Sequence, residues 1–485
     1  MICISVTPES RQLAKVDIYN ASRQCDLVEV CLDRLHKEPD FKDLLEGCTK
    51  PVLISCRRPE EGGHFKGSEE DRLQLLRLAI LANPAYVEMD VETARKIPRF
   101  GKVQRVVSFI NLNGPLGDIE QMFDEAVAVK ADVIKCTWPT QTLEAAWPLL
   151  AVVSQKRSLP VVGLGLGRCG LTFSLLGRKY GSPWIYAALE KGMEAFPGQP
   201  TVGELDEIYR WRHVDHKTRF IGMLGFNETT TALARVLNAG FDCLQLNTRC
   251  LPFEFQSTQQ LAKMLEILKV PAVIATPGAV RRLMPLAQQA DDVAQQAQAS
   301  DLLVRQPSGW FAYNILWKVA LKALEDKLGR KTAEDRPLDR RNVMILGSDG
   351  LAASMAAGVK RRKGLVSLCS GDEASAQKLA ASLELRFIPL AKLYDTLADV
   401  VILTVSNLDY HGKKTPINPA LLRHGMGYLD VTEPPAESAL TSEARGRGCR
   451  VVEPAEFFVD YARALFKSLV GQDLPEQAFA QGFAP

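Results

Sequence analysis

The sequence lacks a surplus of either charge: 59 Lys and Arg stand against 57 Asp and Glu in 485 residues, a formal net charge of +2. Such a balance excludes the basic footprint by which proteins hold nucleic acid or an anionic membrane surface. No apolar run approaches the roughly 18 residues that span a bilayer, and the start, MICISVTPES, has neither the basic nor the apolar region of a secretory leader. A cytoplasmic protein is the expectation. The eleven cysteines include no CxxC pair. Because Cys3, Cys31, Cys56, Cys136, Cys243 and Cys369 fall inside apolar, strand-like runs, reduced core thiols are expected, and neither disulfides nor a metal site. Histidine is scarce: His36, His64, His213, His216, His411 and His424 are all there are. With 46 % hydrophobic and 24 % charged residues, disorder and fibrous repeats are excluded as well.

What is present is strand–helix alternation. Between residues 2 and 189 eight β-branched runs recur, ICISVT, LVEVCLD, PVLISCR, YVEMDVE, RVVSFIN, DVIKCTW, PVVGLGLG and WIYAAL, with helix-forming stretches between them. Such units pair in parallel through right-handed crossovers, and eight of them predict a (β/α)8 TIM barrel, with an open doubly wound sheet as the alternative. The polar WRHVDHKTR at 211–219 breaks this rhythm, and RFIGMLG opens a second α/β unit with further strands CLQLNT at 243–248 and AVIATP at 272–277. A charged stretch then leads to NVMILGSDG at 342–350, an apolar strand ending at a glycine turn, followed by GLVSLCS, DVVILTV, MGYLDVT and CRVVEP. The expected organisation is a barrel over 1–213, an α/β substrate domain over 214–330 with the C-terminal helix 456–478 packed back on it, and a Rossmann-like domain over 331–455.

In a parallel barrel the ligand site lies at the C-terminal ends of the strands, which makes polar residues in or just after apolar strands informative. Lys135 interrupts ADVIKCTW on the sixth strand, where alternation with Val133 turns it inward. A buried lysine amine is suited to attack a carbonyl and form an imine; the plain alternative is a structural lysine paired with a buried carboxylate. Glu29, Arg57, Glu88 and Asp90 are candidates to converge with it.

Residues 1 to about 210 resemble a type I 3-dehydroquinate dehydratase. The resemblance is carried by VEVCLD on strand two, CRRPEEGG after strand three, VIKC around Lys135 and FPGQ near the end of the barrel. The whole chain resembles the bifunctional dehydratase–shikimate dehydrogenase fusion of the shikimate pathway. The resemblance implies a lyase that needs no cofactor: an imine at Lys135 acidifies the neighbouring carbon, and a β-hydroxyl leaves as water. It places Glu29, Arg57 and Gln199 as substrate-binding groups. It implies a small-molecule partner of the 3-dehydroquinate or shikimate class and allows a homodimer.

Several family positions are changed. Where the family has a proton-transferring histidine after strand five, this chain reads Ser108-Phe109-Ile110; Cys31 and Ser174 replace two arginines. His64, in the Glu61-Gly62-Gly63-His64 loop, is the candidate substitute acid–base group, with Asn111 and Arg168 as further polar neighbours. In the dehydrogenase half the family's catalytic lysine falls on Ala279, its aspartate on Leu316 and a late glutamine on Tyr461. The family implies NADP, for which Gly347 and Gly350 are the turn glycines that remain. Asp349 between them and Asp372-Glu373 after the next strand oppose a phosphate-bearing ligand. An inactive dehydrogenase half is therefore expected, with a non-catalytic, metabolite- or protein-binding regulator as the alternative for the whole chain.

Overall fold

The computed structural model describes residues 1–332, 334–410 and 413–482; His411 lies outside the described residues. The chain divides into two units, Met1–Arg219 with Leu251–Leu261, and Phe220–Cys250 with the residues from Ala262 onward.

The first unit is an eight-stranded parallel barrel. Its strands are β1 (Ile2–Val6), β2 (Leu27–Cys31), β3 (Val52–Ser55), β4 (Tyr86–Met89), β5 (Gln104–Ile110), β6 (Val133–Pro139), β7 (Val161–Leu166) and β8 (Ile185–Ala188). They run in the order β7-β6-β5-β4-β3-β2-β1-β8, which leaves β7 and β8 as the edges of a nearly closed ring. All eight runs seen in the sequence are these strands. Their near-continuous burial explains why the runs read as uninterrupted apolar stretches: one face meets the interior and the other the helical layer. The interior is filled by Cys3, Leu27, Leu53, Val106, Val133, Val162 and Trp184, among others, and the polar residues Glu29, Glu88 and Lys135 follow them along their strands.

The second unit holds two sheets. In one, Ala272–Ala275 pairs in parallel with Arg219–Leu224 and antiparallel with Leu302–Gln306, which forms a hairpin with Gly309–Tyr313. In the other, Asn342–Leu346 lies between Leu365–Cys369 and Val400–Leu403, and the latter pairs with Gly427–Asp430. One strand expectation is corrected. CLQLNT is not a strand, because the helix Glu228–Cys243 runs to Cys243 and the next strand begins at Thr248. Leu237 and Phe241 hold that helix to the core, and Gln245 at φ 53° makes the turn. The C-terminal helix Pro454–Val470 packs back on it through Phe466 and Phe241, whose rings stack at 5.4 Å. All eleven cysteines are free, and eight of them are buried.

Asp301 gives this unit a pH dependence. Its two oxygens each accept a backbone N–H, from Ile315 and Leu316, at 2.7 Å, at the start of the helix Leu316–Lys327. Burial pushes its carboxyl up from 3.8 to about 6, although those N–H bonds pull the other way. The folded unit therefore holds this proton more tightly than the unfolded chain does. The stability Asp301 contributes is greatest below about pH 4 and falls as pH rises through about 6. The urea midpoint of the wild type is expected to fall across that window relative to Asp301→Asn. Parallel pH profiles for the two proteins would show that another group titrates.

Candidate active site

Lys135 stands in the middle of β6, in register with Ser108 of β5 and Val162 of β7, and is 0 % exposed. Its Nζ donates to both carboxylate oxygens of Glu88 on β4, at 2.9 and 3.1 Å, and lies 4.4 Å from the ring centroid of Tyr186 on β8. Arg57, two residues beyond β3, holds the same carboxylate through Nε at 3.0 Å and Nη2 at 2.8 Å, and Nη2 also reaches Glu29 of β2. Glu29 accepts the Ser5 hydroxyl at 2.6 Å, and Ser5 accepts from Gln199 Nε2 at 3.2 Å. Lys135, Glu29, Arg57 and Gln199 are thus brought together, although they come from four separate parts of the barrel.

Two cations and two anions form a buried quartet with no net charge. In a low-dielectric interior each charge needs such a partner, because an ion left alone there loses its hydration without compensation. Burial opposes ionisation of Glu88, but Arg57 and Lys135 outweigh it and hold its carboxyl well below the usual carboxylate range, at about 2. Phe196 covers the Arg57 guanidinium, with its ring 5.2 Å away. Cys31 accepts from Arg57 Nη1 at 3.7 Å, and burial pushes its thiol up, so it remains a neutral thiol.

The other candidates engage other partners. Asp90 does not meet Lys135. It follows the end of β4 and caps the helix Val91–Lys96, accepting the Thr93 N–H at 3.0 Å, and it faces Arg58 and Arg72 at 3.4 Å each. His64 donates its backbone N–H to Asp33 at 2.9 Å, and its half-exposed ring stands 3.9 Å from the same carboxylate. Asn111 spends its amide on its own loop, at Asn113 and Pro115. Arg168 is exposed, and close packing accounts for the glycines before it: a Cβ on Gly163 would meet the Phe173 ring and one on Gly165 the Thr140 side chain. Sequence reasoning missed Tyr186, Ser5 and Phe196. For Tyr186 and Ser5 the signal was available, since each shares the inward face of its strand, as Lys135 does.

In the second unit, the turn Gly347–Gly350 leads from a strand into the helix Gly350–Arg361, the place where a dinucleotide fold receives a pyrophosphate. Asp349 fills that role from within. It is the N-cap and accepts the Ala352 N–H at 2.9 Å; burial pushes its carboxyl up, against that bond and the nearby Arg281. A Cβ on Gly350 would meet Arg281 Cγ at 2.6 Å, so close side-chain packing accounts for this glycine. After the following strand Asp372 caps the next helix, accepting the Ser375 N–H at 3.0 Å, where an arginine would be needed for a 2′-phosphate. NADP does not fit this set of residues. Among the described residues no group of three or more His, Cys, Asp or Glu could hold a metal ion.

Residues 2–216 match the family model of type I 3-dehydroquinase. The barrel is a type I 3-dehydroquinase domain. Over 505 aligned positions the chain is 23 % identical to the chloroplastic bifunctional 3-dehydroquinate dehydratase/shikimate dehydrogenase of Arabidopsis thaliana, covering 99 % of this chain and 84 % of that protein. Across 45 % of its length it is 27 % identical to the whole of the 3-dehydroquinate dehydratase of Methanocaldococcus jannaschii. Among solved structures it is similar to the dehydroquinate dehydratase and shikimate dehydrogenase of S. pombe AroM, at 17 % identity and a TM-score of 0.43, covering 100 % of this chain and 98 % of that one. In this barrel Ile110 is half-buried at the end of β5, and the Ser174 hydroxyl donates to the Gly170 carbonyl of its own helix at 3.0 Å. No helix of the described residues is long and apolar enough to cross a membrane.

Proposed function

We propose that the 3-dehydroquinase barrel forms an imine between Lys135 and the ketone of a cyclic keto acid of the 3-dehydroquinate class, and releases water from it. In the same proposal the remainder of the chain, a substrate-type α/β domain and a Rossmann-like domain, transfers no hydride. The observation that carries the first part is the pairing of a fully buried Lys135 with both oxygens of Glu88. An ammonium must lose a proton before its nitrogen attacks a carbonyl, and Glu88 is the acceptor its Nζ already faces; with the carboxyl held low by Arg57, that transfer is transient and is completed only as the C–N bond forms. Glu29, Arg57 and Gln199, joined to the amine through Glu88 and Ser5, supply the charged and amide groups that orient a hydroxylated acid. With Ile110 unable to move a proton, turnover is expected to be slower than that of relatives by the roughly 10² to 10⁴-fold that general acid–base assistance contributes. For the second part, Ala279 and Leu316 leave no lysine–aspartate pair for a proton relay.

A second reading, binding of the same class of metabolite without turnover in a regulatory role, is favoured by the closed quartet, in which Arg57 is already engaged by Glu29 and Glu88. One experiment separates the two. The full chain is treated with 3-dehydroquinate and borohydride, the peptide containing Lys135 is weighed, and enone formation is followed without borohydride. An adduct on the wild type that is absent from Lys135→Met, together with enone release, is expected. Equal labelling of both proteins, or none, overturns the imine; stabilisation by 3-dehydroquinate without adduct or enone supports the regulatory reading.

A further inference from the structure

Tyr186 is the group in the barrel whose chemistry is unused. It lies on β8, 1 % exposed, and its buried hydroxyl donates to no acceptor. Its ring sits 4.4 Å from Lys135 Nζ. The other groups facing that ring are Glu88 and Glu29, both anions engaged by Arg57, and the Cys3 thiol. The Trp184 indole stands as a hydrogen-bond donor towards the phenol oxygen, and because an indole N–H can only donate, the phenol's own proton is left without an acceptor. A buried phenol proton left without an acceptor costs stability, so its presence next to a reactive amine calls for a reason. Phenylalanine would provide the same face to the ammonium and no orphaned hydroxyl.

We propose that the Tyr186 hydroxyl is the proton relay for imine formation at Lys135, moving protons from nitrogen to the departing oxygen of the carbinolamine. This rests on the imine reading above. The Lys135 ammonium gives one proton to Glu88; the free nitrogen attacks the carbonyl carbon, forming the C–N bond and opening the C=O π bond onto oxygen. Tyr186 gives its proton to that oxygen and is reprotonated from the nitrogen. The proton held by Glu88 then reaches the resulting hydroxyl, again through the phenol, as the C–O bond breaks. Two protons of the ammonium leave with the carbonyl oxygen as water, the third stays on the iminium nitrogen, and Tyr186 and Glu88 end as they began. The environment keeps the phenol in its donor form: burial, then the charges of Glu88 and Glu29, push its ionisation well above the ordinary range. The Thr137 hydroxyl on β6 is also buried without a partner, but it does not carry the ring over which the amine sits.

The test uses full-length protein, 3-dehydroquinate and borohydride, with the initial rate of adduct formation on Lys135 read by mass spectrometry. In Tyr186→Phe that rate is expected to fall at least tenfold while the melting temperature stays the same or rises, because the phenol proton has no acceptor to lose. Tyr186→Phe labelled at the wild-type rate overturns the relay and leaves the imine reading standing. No Lys135-dependent adduct in the wild type overturns both, and the Lys135→Met control tells the two failures apart. A melting temperature that falls together with the rate shows a structural role and overturns the relay as well.

Discussion

Arg57→Met is expected to destabilise the barrel by about 3–5 kcal/mol, the range found when one partner of a buried ion pair is removed. The guanidinium is 5 % exposed and is the group that joins Glu29 to Glu88. Without it Glu29 keeps only the Ser5 hydroxyl, and the interior carries one uncompensated negative charge. The loss should be read from the urea midpoint of the barrel transition. Adding Glu29→Gln to the variant removes the stranded charge and is expected to recover a good part of the loss; a double variant as unstable as the sum of the two singles would show that the quartet is not coupled. The same network fixes the acid limb. Glu88, held at about 2 in the folded state against an ordinary 4.5, contributes stability that is present above pH 4.5 and is lost as pH falls towards 2. Arg57→Met should therefore weaken the acid dependence of the barrel as well as its stability at neutral pH.

Millimolar NADPH or NADP is expected to leave the melting of the second unit unchanged, and no shikimate-dependent reduction of NADP should be measurable. A helix N-terminus binds pyrophosphate because its N–H groups and the helix dipole face the anion. Here the Asp349 carboxylate already accepts from the Ala352 N–H and places negative charge where the phosphates would sit. Arg281, which in another setting would attract phosphate, lies against Gly350. A ligand at 100 times its Kd raises stability by about 2.7 kcal/mol, an easily read shift, so a clear rise in melting temperature with NADPH would overturn this account of the turn. Asp349→Ser keeps a capping hydroxyl and removes the charge. If the carboxylate is the main obstacle, this variant gains a nucleotide-dependent shift; if the missing arginine near Asp372 is equally decisive, it does not.

Much of the site is legible in the sequence alone. Lys135 stands out by breaking an apolar strand, and period-two alternation turns it inward with Val133. The same rule, extended to ICISVT and WIYAAL, leads to Ser5 and Tyr186, the two inward-facing residues that were missed. Asp90 departs from expectation for a different reason: it lies beyond the strand end, where the backbone no longer alternates, and is drawn into a helix cap. CLQLNT misleads because an apolar hexapeptide fits a strand and the end of a buried helix equally well, and the long amphipathic face of Glu228–Cys243 prevails.

The eight-strand barrel, most of the α/β strands that follow it and the inward lysine are legible in the residues alone, because they are properties of residue type and local period; the changed position at Ile110 is legible only through the family resemblance. Only the tertiary structure decided that Arg57 is satisfied by Glu29 and Glu88, that Lys135 shares Glu88 with it, and that the Tyr186 phenol lies against the amine with its own proton unengaged. Partnership across a barrel depends on the register and stagger of all eight strands together, and no single segment contains that information.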